Sequence, residues 1–237
     1  MNSTYLLTTG LGFVFLTALS FGILLRHLAR VLSNSDYSTS QQKRIKTAAM
    51  LAIIGWAFVL AIISWSGFSQ KFHLFPLNIA PILIVPLVTI VWVTFSNTTK
   101  QLLPLIPARH LIRLQVFRVA VEILLWLLFL QNMLPVQMTF EGRNFDVLAG
   151  VTAPLVAYLF SDNKKILLIW NLVCLGLLIN IVGTAILSMP TPIQVFENEP
   201  ANTIVAVFPF IFLPGFLVPL AYGLHFLLLR KLFLKPD

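Results

Sequence analysis

Charge is scarce in this chain: 10% of its 237 residues are Asp, Glu, Lys or Arg, whereas water-soluble domains carry about 25%. Too few ionic groups exist to cover a folded surface with water-facing side chains, so an ordinary soluble domain is excluded. Cysteine is nearly absent. With Cys174 alone, neither an internal disulfide nor a metal site built on several cysteines can form. The four histidines, His27, His73, His110 and His225, are dispersed, with no HExxH pair. A phosphate-cradling glycine loop, GxSxG and a paired acidic motif are missing too. The stretch 203–229 has no lysine to carry a retinal Schiff base. These absences favour a non-enzymatic protein with no cofactor and no metal centre. The opening MNSTYLLTTG also lacks the basic start of a secretory signal, so the first apolar run reads as a retained helix.

What is present is apolar length. Hydrophobic residues make up 58% of the chain and the mean hydropathy is +0.92. About 20 apolar residues are needed for a helix to cross a hydrocarbon core of about 30 Å. Seven segments approach that length: 5–25, 48–65, 75–95, 114–134, 145–160, 166–188 and 203–229. The fifth is the shortest and contains Gly150 and Pro154. The expected fold is therefore all-α, a polytopic membrane helix bundle of about seven transmembrane helices forming a single transmembrane domain over 1–237.

Lys and Arg set its direction, because basic loops stay on the cytoplasmic side. Connections on one side carry thirteen of the sixteen basic residues: Arg26, Arg30, Lys43, Arg44, Lys46, Lys100, Arg109, Arg113, Lys164, Lys165, Arg230, Lys231 and Lys235. The other side carries Lys71 and Arg143, and Arg118 lies within a span. The amino terminus is thus expected outside and the carboxyl terminus in the cytoplasm, in the plasma or inner membrane. The net charge of +8 sits at the ends of apolar runs, so its expected partner is membrane lipid and not nucleic acid. A flexible cytoplasmic loop is expected over 31–47, and 101–113, QLLPLIPARHLIR, is expected to lie along inner headgroups. An acidic, proline-stiffened external turn is expected over 189–202, and Trp65, Trp92 and Trp170 fall near span ends. Asn2 and Asn97 begin glycosylation-type triplets, to which no role is assigned.

Two segments match without a gap: FPLNIAPILIVPL from Phe75 and FPFIFLPGFLVPL from Phe208. Prolines five residues apart are unusual in helices, since each removes a backbone donor and crowds the preceding turn. The match suggests a parallel 3+1+3 repeat, with halves 1–100 and 145–237 joined by helix 111–134; chance similarity of proline-containing helices is the alternative. SWEET-type sugar transporters resemble this arrangement in architecture, but their proline-glutamine signature is missing here. Pro81, Pro86, Pro214 and Pro219 are expected to kink their helices and to leave carbonyls that must find partners inside protein.

Ionisable groups mark the candidate site. In RLQVFRVAVEILLW, Gln115, Arg118 and Glu122 share one helix face, and Glu122 falls roughly 13 Å beyond Arg113 at about 1.5 Å per residue. One reading is a buried polar site in which Arg118 holds an anion and Glu122 titrates; the other is a structural salt bridge fastening this helix. Glu141, Arg143, Asn144 and Asp146 crowd the outer loop MTFEGRNFD, with Gly142 as its flexible point. They form either an external mouth to that site or local helix caps and pairs. Asn78, Thr152, Asn171 and Asn180 are candidate walls, each also a candidate interhelical hydrogen-bonding residue. Together these features suggest a small-solute or ion transporter. The alternatives are a scaffold subunit held by a protein partner or by its own copies, or a membrane receptor or enzyme.

Overall fold

The computed structural model describes residues 3–234, leaving Asn2 and Lys235 outside the described residues. Among these residues the chain is all-helical: α1 (Ser3–Ser33), α2 (Thr39–Trp65), α3 (Ala80–Phe95), α4 (Asn97–Leu102), α5 (Ala108–Leu114), α6 (Phe117–Leu130), α7 (Val147–Leu159), α8 (Lys164–Leu187) and α9 (Val218–Phe233). Every one of the seven apolar segments contains a helix. Four helices, over 4–33, 39–65, 164–187 and 213–233, are long and apolar enough to cross a membrane, and α3 with the segment 97–105 adds a fifth if that 55° bend is one broken span. The chemistry of the exterior fits lipid. Phe15, Phe58, Trp65, Trp92 and Tyr158 stand on it exposed, where hydrocarbon can replace the water that would oppose them.

The connection between α1 and α2 is shorter than the sequence suggests. Helix continues to Ser33 and resumes at Thr39, leaving five residues where a loop over 31–47 was expected. Ser38 starts α2 early. Its side chain accepts from the Gln41 backbone N–H while the Gln41 side chain accepts from the Ser38 backbone, a reciprocal cap that satisfies two free donors.

Both proline-rich segments become helical later than hydropathy alone predicts. Residues 75–79 form turns and α3 begins at Ala80; residues 203–212 form turns and a short 3₁₀ stretch before a π-helical turn, Leu213–Leu217, leads into α9. The proline ring explains the delay, since it removes a donor and restricts the residue before it. Pro81 occupies a first-turn position where no intrahelical donor is needed, Pro214 lies in the π turn, Pro219 stands in the first turn of α9 directly behind that π turn, and Pro86 alone of the four is interior to an α-helix. The carbonyl of Gly215, which a proline at 219 leaves without its usual helical donor, accepts the Trp56 Nε1–H at 2.8 Å. Ser64 and Ser69 both donate to the Ala206 carbonyl, and Ser64 Oγ accepts from the Phe208 N–H at 2.6 Å. In this way α2 and the 3₁₀ turn that follows it, Phe68–Gln70, supply the partners that the irregular lead-in to α9 lacks.

Helices α3 and α9 pack side by side and run parallel. Their starts, Ile79, Ile82, Leu213 and Pro214, border one cavity. Their ends meet where Arg230 donates to the Thr94 and Ser96 carbonyls and Lys231 to the Leu103 carbonyl. Arg230 thus satisfies the carbonyl end of α3, the favourable sign for a helix C-terminus. The main core gathers Phe13, Leu60, Ile82, Leu125, Leu178 and Ile211, and a smaller cluster includes Ile112, Ala153, Leu167 and Leu224.

Candidate functional site

Helix α6 carries the centre of the site. One turn separates Arg118 from Glu122, and both side chains are buried, as are Val121 and Leu125 beside them. Helix α7 comes unusually close to α6 because Gly150 has no side chain: a Cβ there would lie 2.7 Å from Val119 Cγ2 and 2.9 Å from the Val119 nitrogen. That approach brings the start of α7, and Asp146 with it, against Arg118.

The guanidinium is almost fully engaged. Nε donates to Asp146 Oδ2 at 2.6 Å, Nη2 donates to Asp146 Oδ1 and more weakly to the Cys174 carbonyl at 3.5 Å, and Nη1 donates to His225 Nε2 at 2.9 Å. Arginine has donors only, so Nε2 of His225 must accept, which puts that ring's proton on Nδ1. There it donates to Asn171 Oδ1 at 2.7 Å, and Asn171 Nδ2 donates in turn to the His225 carbonyl at 3.3 Å. One arginine therefore ties together α6, α7, α8 and α9. A bidentate guanidinium–carboxylate pair with most of its remaining donors filled is the arrangement that lets two charges survive burial.

Glu122 stands apart from that pair. Its Oε1 accepts from Asn144 Nδ2 at 2.5 Å, while its Oε2 is buried without a hydrogen-bond partner among the described residues. Asn144 is held by its own loop: its Nδ2 also donates to the Met138 carbonyl at 3.1 Å, and its Oδ1 accepts from the Asp146 N–H at 3.1 Å. Glu122, Asn144 and Asp146 border a cavity of about 70 Å³ whose other walls are apolar, among them Ile82, Leu125, Leu178, Ile181 and Pro214. A water needs about 10–15 Å³ measured this way. The space therefore suits a few waters or a solute of a few heavy atoms.

The four outer-loop residues divide. Glu141 and Arg143 are exposed, Asn144 and Asp146 buried. Asp146 occupies the N-cap position of α7 but makes no side-chain cap hydrogen bond, because its carboxylate is committed to Arg118; the capping expectation is corrected here. Nor does Glu141 pair with Arg143 among the described residues. Glu141 accepts from Trp126 Nε1 at 2.6 Å, and Arg143 lies over the Phe196 ring. Gly142 serves close packing, not flexibility, since a Cβ there would strike the Val136 carbonyl and the Gln137 backbone.

Gln115 is buried at the α5–α6 junction, where its Oε1 lacks a partner, and it does not border the cavity. Of the four prolines, Pro214 borders it. The polar wall candidates lie elsewhere: Asn78 donates to the Ser69 carbonyl, Thr152 accepts from Trp170, Asn171 holds His225, and Asn180 donates to the Arg143 carbonyl. The pairing of Arg118 with Asp146, 28 residues away, has no local signal. The available pointer is that an arginine inside a span requires an anion.

Neither a curated protein nor a solved structure matches this chain. A family described as a domain of unknown function (DUF8737) matches residues 74–233, a range that begins just before the first Phe–Pro segment and takes in Arg118, Glu122, Asn144, Asp146, Asn171 and His225. The chain belongs to this DUF8737 family.

Proposed function

We propose that this protein is a small-solute permease of the cytoplasmic membrane, crossing it seven times with its amino terminus outside, and that the solute site is the cavity at Glu122. The observation that carries the reading is the buried Oε2 of Glu122, which has no hydrogen-bond partner among the described residues, on a side chain that borders an otherwise apolar cavity. A polar atom left bare in a low-dielectric interior is costly. A bound solute relieves that cost. Because Asp146 already takes the guanidinium, Arg118 is a positioning residue and not an anion receptor, and the site suits a small cation or hydrogen-bond donor.

The architecture supports this reading. Helices occupy all seven apolar segments, and the basic residues divide thirteen to two between their connections. The fourth apolar segment, 114–134, holds α6 and has the length of a span, with α5 before it on the cytoplasmic side. The parallel 3+1+3 repeat is supported by the equivalent behaviour of its two proline segments: each runs irregularly from Phe–Pro, enters a helix immediately before its second proline, and packs against the other. Irregular backbone beside a midplane cavity is the usual construction of a solute site in repeat transporters.

Uptake of radiolabelled methylammonium into proteoliposomes tests the proposal. Wild-type protein is expected to exceed empty vesicles, and Glu122→Gln to fall to their level while keeping its melting temperature. Wild-type uptake equal to that of empty vesicles overturns the proposed solute class, and unchanged flux in Glu122→Gln overturns the site. The sealed Arg118–Asp146–His225 network favours a second reading, a scaffold subunit whose polar core fixes helices for a protein partner or a second copy. That reading predicts no uptake and loss of the assembly when Asp146 is replaced.

A further inference from the structure

A second feature lies away from the central cavity. A groove of about 280 Å³ runs between α1 and the α5–α6 junction, walled by Leu16, Leu19, Ile23, Leu24, Phe117 and Ala120, with Arg113 on its border. Its walls are almost wholly apolar. One turn beyond Ile23 stands His27, whose Nδ1 meets the Ile23 carbonyl at 2.9 Å. The His27 ring packs edge-on against His110 with centroids 5.5 Å apart. Burial, then His27, Arg109, Arg113 and Arg30, hold the His110 imidazole below its ordinary range. Every charged group acting on this histidine is therefore basic. The acids in the neighbouring turns serve other places: Asp36 lines a cleft with Lys100, and Asp162 one with Lys164 and Lys165.

Three guanidiniums, Arg30, Arg109 and Arg113, gathered about the two imidazoles repel one another, and an anion among them relieves that repulsion. An apolar groove leading up to such a cluster matches a molecule with an anionic head and a hydrocarbon tail. The geometry points to a bound anionic phospholipid, its phosphate among Arg30, His27, Arg109, His110 and Arg113 and one acyl chain along the groove between α1 and α6. Exposed Arg30, Arg109 and Arg113 are free to turn towards a phosphate, and arginine recognises phosphate oxygens two at a time. The groove fixes the tail, which separates this site from general attraction of basic loops to a charged membrane surface.

Purified protein in neutral detergent provides the test, through native mass spectrometry and thermal unfolding with added phosphatidylglycerol, phosphatidylcholine or inorganic phosphate. Phosphatidylglycerol is expected to remain bound at one per chain and to raise the melting temperature, with phosphatidylcholine and phosphate doing neither. The double variant Arg30→Gln/Arg113→Gln is expected to bind phosphatidylglycerol about thirtyfold more weakly, since each basic group contributes on the order of 1 kcal/mol. Ala120→Leu, which narrows the groove without touching a charge, should weaken it also and keeps the test available if the double variant does not fold. Equal binding of both lipids, stabilisation by phosphate alone, or wild-type affinity in both variants would overturn the assignment. Methylammonium uptake plays no part in these readouts, so this site and the Glu122 site stand or fall separately.

Discussion

At the residue scale, the decisive fact is how the buried charges are shared. Arg118 and Asp146 form a closed pair, whereas Glu122 is left with one amide donor and one bare oxygen. Removing one partner of a buried pair leaves an uncompensated charge, a loss of about 3–5 kcal/mol. Asp146→Ala should therefore lower the yield and melting temperature of purified protein sharply. The charge-free pair Arg118→Met/Asp146→Leu should recover much of that loss, measured as a double-mutant cycle. His110, at the groove's basic end, behaves differently. Its folded-state affinity for a proton is below the ordinary value of 6.5 because of burial and its cationic neighbours, so below that pH the unfolded chain takes up protons first. Stability tied to His110 is complete above its unfolded pKa and declines as pH falls through 6.5 towards the lowered folded value. Melting temperatures of wild type and His110→Gln should run parallel at pH 8 and diverge as pH drops through that range, with the wild type losing more.

At the scale of elements, close contacts and hydrogen bonds across helices set the geometry of the site. Gly150 lets α7 lie against α6, so Gly150→Leu should push the helices apart and separate Asp146 from Arg118. Its expected signature is a loss of at least the roughly 1–3 kcal/mol typical of overpacking, together with a fall in methylammonium uptake. Trp56→Phe strips the Gly215 carbonyl of its donor and should lower stability by about 1–3 kcal/mol, measured by unfolding in detergent. What the sequence revealed follows from the range of the interactions. The three- and four-residue spacing on α6 displayed Arg118 and Glu122 on one face, and the cost of unpaired charge in lipid marked them as buried. Asp146 reaches Arg118 only through a tertiary approach made possible by Gly150. Local rules could assign it no more than a cap. Similarly, hydropathy saw continuous apolar runs at 75–95 and 203–229, while the prolines, acting through backbone donors, delayed each helix start.

At the scale of the whole molecule, the apolar exterior, several long apolar helices and basic residues at helix ends belong together in a bilayer. The proposed orientation has a direct check. In a Cys174→Ser background, a cysteine placed at Lys43 should be protected in intact cells from a membrane-impermeant maleimide, and one at Glu197 should be labelled. The reverse pattern would invert the topology. The proposed permease activity needs something more demanding, a solute in contact with Glu122 itself. Infrared difference spectroscopy of the reconstituted protein reads that contact: adding methylammonium should change a carboxyl band in the wild type, and that change should be missing in Glu122→Gln. An unaltered carboxyl region in the wild type, or the same change in Glu122→Gln, would contradict the account.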